Sequence, residues 1–458
     1  MRQIVNLKSG TLYLISAFIL SLFALTVIAS DQVPGKPQDH PIALVGCKIH
    51  TVSGATIENG TVLFIDGKIT GLGTQVDLPE GTERINAKGK HVYPGLITAN
   101  TRLGLVEINA VRATRDFAEL GDVNPNIRAE VSINPDSELI PVARANGITM
   151  AHTIPSGGLI AGTSALITLD GWTWEDLTYK APVGLYIDWP FMGIRKGRFV
   201  IKNEKEQLKE RDERLAKIRD TFAQARAYMK AREAEGQKGT PYHGSDLRLD
   251  AMIPVLKKEM PILLHARGIK QIQAALDWAI DEDLKIILLS GQDVRFVTSL
   301  LKENNIPVIY EGTLTTPSRR WEPYDTPFRT PLNLFEAGVT FCISGSGRTF
   351  EAAHERNLPY QAAMAAAYGL PKEEALKAVT LYPAQILGVG DRVGSIEIGK
   401  DATLIVTNGD PLEIMTNVEM EFIQGRKIDL SSRHTELYEK YKTKYERIEL
   451  TNGKTTSK

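Results

Sequence analysis

"MPILLHARGIKQIQAALDWAIDEDLKIILLSGQDVRFVTSLLKENNIPVIYEG", residues 260–312, carries the fold signal. Three short apolar runs ("PILLH", "IILLS", "PVIYE") alternate with two stretches of helical period, residues 269–283 and 293–305. Strand then helix, repeated, implies a parallel sheet with its helices outside. The same style extends outward. "PGLITANTRLGL" (94–105), "GITMAHTI" (147–154), "SALITLDG" (164–171), "VGLYIDWP" (183–190) and "GVTFCISGS" (338–346) are further strand-like runs. The number of units suits a closed (β/α)8 barrel over residues 94–385, whose chemistry would sit at the C-terminal strand ends.

Both flanks of that region read as β-structure. "IALVGCKIHTVSG" and "GTVLFIDGKITGLG" precede it, "GSIEIGKDATLIVTNGD" and "VEMEFIQGRKI" follow it, and turn signals separate alternating apolar positions. Residues 41–93 and 386–428 are therefore expected to form one small β-sandwich assembled from both ends of the chain.

Composition narrows the function classes. The 458 residues hold 54 basic and 55 acidic side chains, for a net charge of −1, which argues against a nucleic-acid partner. Only Cys47 and Cys342 occur, each in an apolar run. That excludes a disulfide framework and a Cys-rich zinc site, and predicts two buried thiols.

Residues 1–30 carry a targeting signal. Arg2 and Lys8 precede the apolar run Leu12–Ala29, which ends in small residues fit for cleavage. Both a cleaved signal peptide and a retained membrane anchor fit this pattern, so the chain is expected to be exported. It would be periplasmic or secreted, or held at the inner membrane facing outward. Residues 203–237 form a highly charged insertion, with Leu208, Leu215, Ile218, Phe222, Ala225 and Met229 on one helical stripe. The bland reading is a long surface helix packed on one side, and the alternative is a partner-binding helix. Residues 429–458 read as a polar helical tail that frays.

Several motifs together resemble the amidohydrolase superfamily, in particular exported members similar to imidazolonepropionase. The strongest is "AVTLYPAQILGVGDRVGSIEIGKDATLIVTNGDPL" (378–412), joined by "HVYPGLI" (91–97) and "PILLHARG" (261–268). The resemblance covers about residues 41–428. It implies the same barrel-plus-sandwich architecture, hydrolysis of non-peptide C–N bonds, and one or two divalent metals such as zinc. The family's ligands are a His-x-His after the first barrel strand, a His on each of the fifth and sixth strands, and an Asp on the eighth. Such ligands leave a coordination site for an activated water.

Position by position, this chain departs from that pattern. Thr98 stands for the Asp that precedes His-x-His, and Asn100 and Arg102 stand for the two histidines. His265 matches the fifth-strand ligand, whereas Ser290 and Gly291 replace the sixth-strand His and Gly345 the eighth-strand Asp. A guanidinium about 4 Å from a divalent ion costs on the order of 8 kcal/mol at an effective dielectric of 20. No cofactor and no metal ligands are therefore expected.

Charged residues at or near strand ends supply other chemistry: Arg102, Glu107, Asp188, Arg267, Asp293, Glu311 and Arg319. Catalysis without metal would need His265, Asp293 or Glu311 as base and Arg102 or Arg267 for an oxyanion. A binding role would use Asn100, Arg102, Arg267 and Arg319 against a small anionic molecule. The bland alternative pairs Arg102 internally with Asp293 or Glu311. His152 and His354 join His265 as a conceivable new site, but each reads more simply as a hydrogen-bonded structural histidine. Trp172 and Trp174 are expected in the core rather than as ligand stackers. Three functions stay open: a metal-independent or inactive hydrolase, a pseudoenzyme binding a small anion or partner, and a purely structural interaction protein. A homo- or hetero-oligomer is compatible with each.

Overall fold

Five strands open the described chain: β1 (Ile42–Ile49), β2 (Ile57–Ile65), β3 (Lys68–Gly73), β4 (Glu83–Asn86) and β5 (His91–Pro94). The computed structural model describes residues 32–235 and 244–455, with side chains as far as 448. The signal or anchor expected over residues 1–30, the last two residues of the 203–237 insertion and residues 456–458 of the tail lie outside the described residues. Among the described residues no helix is long and apolar enough to cross a membrane.

Ten strands follow: β6 (Leu96–Thr101), β7 (Ile148–Thr153), β8 (Ile160–Thr163), β9 (Ala165–Thr168), β10 (Thr178–Lys180), β11 (Leu185–Asp188), β12 (Ile262–His265), β13 (Ile286–Ser290), β14 (Val308–Glu311) and β15 (Phe341–Ser344). The chain then returns to the first sheet through β16 (Leu404–Thr407), β17 (Val418–Ile423) and β18 (Arg426–Lys427).

The two β-rich ends do combine, into one eight-stranded sheet ordered β18-β17-β16-β5-β1-β2-β3, with β4 also on β1. This is not two separately laddered sheets facing each other. Phe64 on β2 and Phe422 on β17 lie four strands apart in that order, yet their rings meet at 5.1 Å. The single sheet therefore curls around its own apolar core. Gly46, at φ +76°, sits where the β1–β2 register shifts and lets β1 bend.

The middle is an α/β fold. Strands β11 to β15 pair in parallel, each in register with the next. Their side chains split by parity, as a period of two requires. Leu263, Ile287, Leu289, Ile309 and Cys342 join an inner cluster with Ile97, Met150, Leu166 and Tyr186. Ile262, Leu264, Leu288, Val308 and Phe341 face the helices. Residues from β6, β7, β8, β9 and β11 to β15 thus surround one interior.

The expected ring of eight parallel strands differs in detail. The backbone ladders form a four-stranded sheet, β10-β9-β7-β6, and a six-stranded sheet, β15-β14-β13-β12-β11-β8, with β9 antiparallel to β7 and β8 antiparallel to β11. Two serines bridge the breaks, one through its side chain and one through its backbone. At one seam Ser344 Oγ accepts from the amides of Ala99 (3.1 Å) and Asn100 (2.8 Å). At the other, Ser164 exchanges backbone hydrogen bonds with Gly184 (3.0 Å) and Val183 (2.9 Å).

The insertion is one 30-residue helix, Glu204–Glu233, started by an Asn203/Glu206 capping box. Leu215, Ile218, Phe222 and Ala225 are buried as expected, while Tyr228 is buried and its neighbour Met229 only half so. Phe222 packs edge-on against Trp278, which in turn meets Trp189 just past β11 (5.0 Å each). Burying one such aromatic contributes roughly 1.5–3 kcal/mol, enough to hold this helix beside the C-terminal ends of the strands. The tail is helical over Arg433–Thr455. Cys47 and Cys342 are free, buried thiols. Trp172 is 65 % exposed and so does not belong to the core, whereas Trp174 packs partly against it.

Candidate functional site

β6, the first strand of the α/β region, ends inside the protein. Thr98, Asn100 and Arg102 on and just after β6 are all buried. Alternation sends Thr98 and Asn100 to one side of the strand, and the Ser344 contact with the Ala99 and Asn100 amides brings β15 up beside them. Thr98 Oγ1 donates to Glu355 Oε2 at 2.6 Å, and Asn100 Nδ2 donates to Glu311 Oε1 at 3.2 Å.

Glu311, the last residue of β14, is the electrostatic centre. Arg267 Nε lies 2.8 Å from its Oε2, and His265 Nε2 lies 3.3 Å from its Oε1. Burial would raise this carboxyl, but His265 and Arg267 outweigh burial and hold it below its ordinary value. His265 is gripped from the other side too, with Nδ1 2.7 Å from Asp188 Oδ1. Burial pulls the imidazole down, yet Glu311 and Asp188 together push it up to about 9. That favours the protonated ring at neutral pH, with Nδ1–H directed at Asp188, while Nε2 sits between Glu311 Oε1 and Arg267 Nε, 3.2 Å away.

Arg102 behaves otherwise than expected. It pairs with neither Asp293 nor Glu311. Its Nη1 donates to the Thr101 carbonyl (3.1 Å), its guanidinium lies over the Tyr186 ring at 5.7 Å, and its Nε has no hydrogen-bond partner. Burial draws its pKa down, with Tyr186 and Glu311 opposing, and a guanidinium stays charged under such conditions.

The remaining candidates divide. Asp293 and Arg319 form a bidentate pair (2.8 and 2.6 Å), Asp293 also accepts from the Ile269 amide, and Arg319 reaches Glu322 at 2.7 Å. That pair ties a loop to a helix start and is removed from the Glu311 cluster. The reason is geometric: Asp293 lies three residues beyond β13, on a turn that carries it away. Glu107 bonds Ser137 and the Glu138 amide and is likewise structural. His152 donates and accepts at the Ala99 carbonyl and Ser164 Oγ (2.8 Å each), and burial takes it down to about 4. His354 bonds the Phe350 carbonyl. The three histidines do not share a site.

Two members of the cluster escaped the sequence reading. Tyr186 points inward from β11 and stacks toward His265, with centroids 6.0 Å apart. Glu355 lies in the 3-10 segment Thr349–Asn357, and its Oε1 comes within 3.4 Å of where a Gly345 Cβ would stand. A carboxylate from outside the strand thus fills the space beside a position that lacks a side chain. No motif marks it, and only the fold brings it there. Burial pushes Glu355 up to about 7, against hydrogen bonds from Thr98 and Thr101.

The loop after β15 covers the cluster: Arg267 Nη2 donates to the Ser346 carbonyl at 3.2 Å, and Gly347 packs against Asn100. Beside it opens a cavity of about 760 Å³, whose lining includes Asp188, His265, Arg267, Trp189 and Phe191. Arg195, Lys202, Arg211 and Arg214 line it as well, against Glu210, so positive charge dominates. Among the described residues, no group of three or more His, Cys, Asp or Glu side chains stands where it would hold a metal ion.

Comparison with known proteins bears on this geometry. The amidohydrolase family model matches residues 274–427. The crystal structure of an amidohydrolase from Thermotoga maritima superposes with a TM-score of 0.75 at 27% identity, covering 85% of this chain and 99% of that one. The chain is similar to the amidohydrolases, in sequence over residues 274–427 and in fold over most of its length. Amidohydrolase tasK of Hapsidospora irregularis is 22% identical over 430 residues, 86% of this chain and 42% of its own. Imidazolonepropionase of Staphylococcus aureus is 49% identical over 81 residues, 17% of this chain and 20% of that enzyme. The chain thus spans less than half the length of these curated relatives. The residues gathered at the strand ends are a mixed-charge cluster of three carboxyl groups (Asp188, Glu311 and Glu355), one imidazole and two guanidiniums.

Proposed function

We propose that this chain uses the amidohydrolase scaffold without the family's metal centre, as a receptor for a small carboxylate- or phosphate-bearing molecule at the barrel mouth. The observation that carries this reading is His265. Its Nδ1 lies 2.7 Å from Asp188 Oδ1, and its Nε2 is closed off by Glu311 Oε1 at 3.3 Å and Arg267 Nε at 3.2 Å, so neither ring nitrogen is open to a metal. Glu311 is engaged by Arg267 and Asn100. A divalent ion fits this donor set poorly: both Glu311 oxygens and Asp188 Oδ1 face His265 or Arg267, which leaves Asn100 Oδ1 and Glu355 Oε1 as buried oxygens without a partner, and Arg102 adds a buried charge of the ion's own sign.

What remains suits an anion. Arg267, on the cavity wall with its side chain 35% exposed, has donors left after meeting Glu311 and the Ser346 carbonyl. Arg195, Arg211 and Arg214 raise the potential around it. The finer kinship to imidazolonepropionase and export through residues 1–30 belong to the same proposal. They rest on the motif match and on the apolar run Leu12–Ala29.

The test joins metal content with ligand response. The full chain is expressed with zinc and manganese offered and purified without chelator. It should carry under about a tenth of an equivalent of tightly bound metal. Its thermal midpoint should rise with citrate, glutarate or inorganic phosphate, and Arg267→Ala should abolish the rise. One equivalent of tightly bound metal together with chelator-sensitive hydrolysis of a cyclic amide would overturn the reading.

A further inference from the structure

The loop between β11 and the long helix contains "RKGRFVIK", residues 195–202, with four cations and three large apolar residues in succession. No acidic residue occurs from Trp189 to Asn203. Phe199 is 91% exposed and Ile201 98%, so neither packs on the protein. Arg195, Lys196 and Arg198 are exposed as well and join no ion pair among the described residues, while Lys202 meets Glu210. Gly197, at φ +150°, turns the chain between the two pairs of cations. The Asn203 cap fixes where the loop ends, and Gln207 holds its base through the Arg195 and Lys202 carbonyls.

Phe199, Val200 and Ile201 form a run of exposed apolar side chains rimmed by polar ones, which marks an interaction surface. Cations on both sides state the character of what it meets. We propose that this loop docks the protein on an anionic lipid bilayer, with Phe199 and Ile201 entering the interface and Arg195, Lys196 and Arg198 on the headgroups. Each cation near such a surface strengthens partition about fivefold, and the inserted aromatic adds to that. Because the loop also rims the cavity, docking would turn the binding site toward the membrane surface.

The experiment uses the full chain carrying F199C, labelled with a polarity-sensitive fluorophore. Cys47 and Cys342 are fully buried, so the dye goes to one site. Emission should shift to the blue on phosphatidylcholine–phosphatidylglycerol vesicles and stay unchanged on phosphatidylcholine alone. With Arg195, Lys196 and Arg198 all changed to Ser, the half-point should need on the order of a hundredfold more lipid. No shift on anionic vesicles would overturn the proposal. An equal shift on both vesicles would overturn it too, since the apolar N-terminal run alone would then account for the contact. A shift caused by citrate or phosphate without vesicles would make the loop a cover for the cavity and sink docking as its role.

Discussion

Thr98 Oγ1 donates a 2.6 Å hydrogen bond to Glu355 Oε2, joining the first strand of the barrel region to a turn beyond its last. This contact occupies the side of the site where Gly345 offers no side chain. It also leaves Glu355 Oε1 buried and without a partner. A carboxyl in that setting prefers its proton.

Glu355→Gln therefore tests the contact. Burial raises the folded pKa from 4.5 to about 7, so Glu355 favours folding most below pH 4.5. That advantage is lost as pH rises through about 7. The Gln variant still accepts from Thr98 and has no proton to lose. At pH 8 it should exceed the parent by on the order of 2 kcal/mol in urea unfolding, and the difference should vanish near pH 4. A variant less stable than the parent at pH 8 would contradict this assignment.

His265 titrates at higher pH. Its pKa rises from 6.5 to about 9, so its ion pairs are complete below pH 6.5 and lost as pH rises through about 9. Stability should fall over that window, and Asp188→Asn should move the fall to lower pH. An NMR titration of the His265 ring checks the same point directly. A midpoint below 6.5 would mean that the two carboxylates do not hold it.

Gly347, at φ +64°, is set against Asn100, and a Cβ there would stand 2.3 Å from Asn100 Oδ1. Gly347→Ala should cost about 1 kcal/mol or more for the backbone conformation alone, with the clash added. Adding Asn100→Ala should recover the clash but not the backbone cost. A double-mutant cycle with no coupling would place the loop elsewhere.

Arg267 and Arg319 should separate cleanly. Arg319→Ala breaks the pair with Asp293 and strands a buried carboxylate, at a cost of about 2 kcal/mol, and anion binding should not change. Arg267→Ala should abolish anion binding. Equal loss of anion affinity in both variants would merge the two groups into one site.

Much of the architecture is legible in the sequence because it follows from local periodicity. Continuous apolar runs in 260–312 specify strands buried on both faces, and the stripe through Ile218 and Phe222 specifies a helix packed on one side. The broken ladders are another matter. The antiparallel placement of β8 and β9 turns on Ser164 exchanging bonds with Val183 and Gly184, which no local pattern encodes.

For the site, the chain's own residues determine which chemistry is present. Thr98, Asn100, Arg102, Ser290 and Gly345 stand at strand ends where the superfamily resemblance implied metal ligands, and His265 alone matches. Tertiary structure decided the pairings. It joined Glu311 to Arg267 and His265 and Asp293 to Arg319, and it brought Glu355 back to Thr98. The reason is physical. Side-chain identity and period are properties of a few neighbouring residues, whereas an ion pair depends on where distant strand ends and loops meet, and burial then fixes which partners each charge can keep.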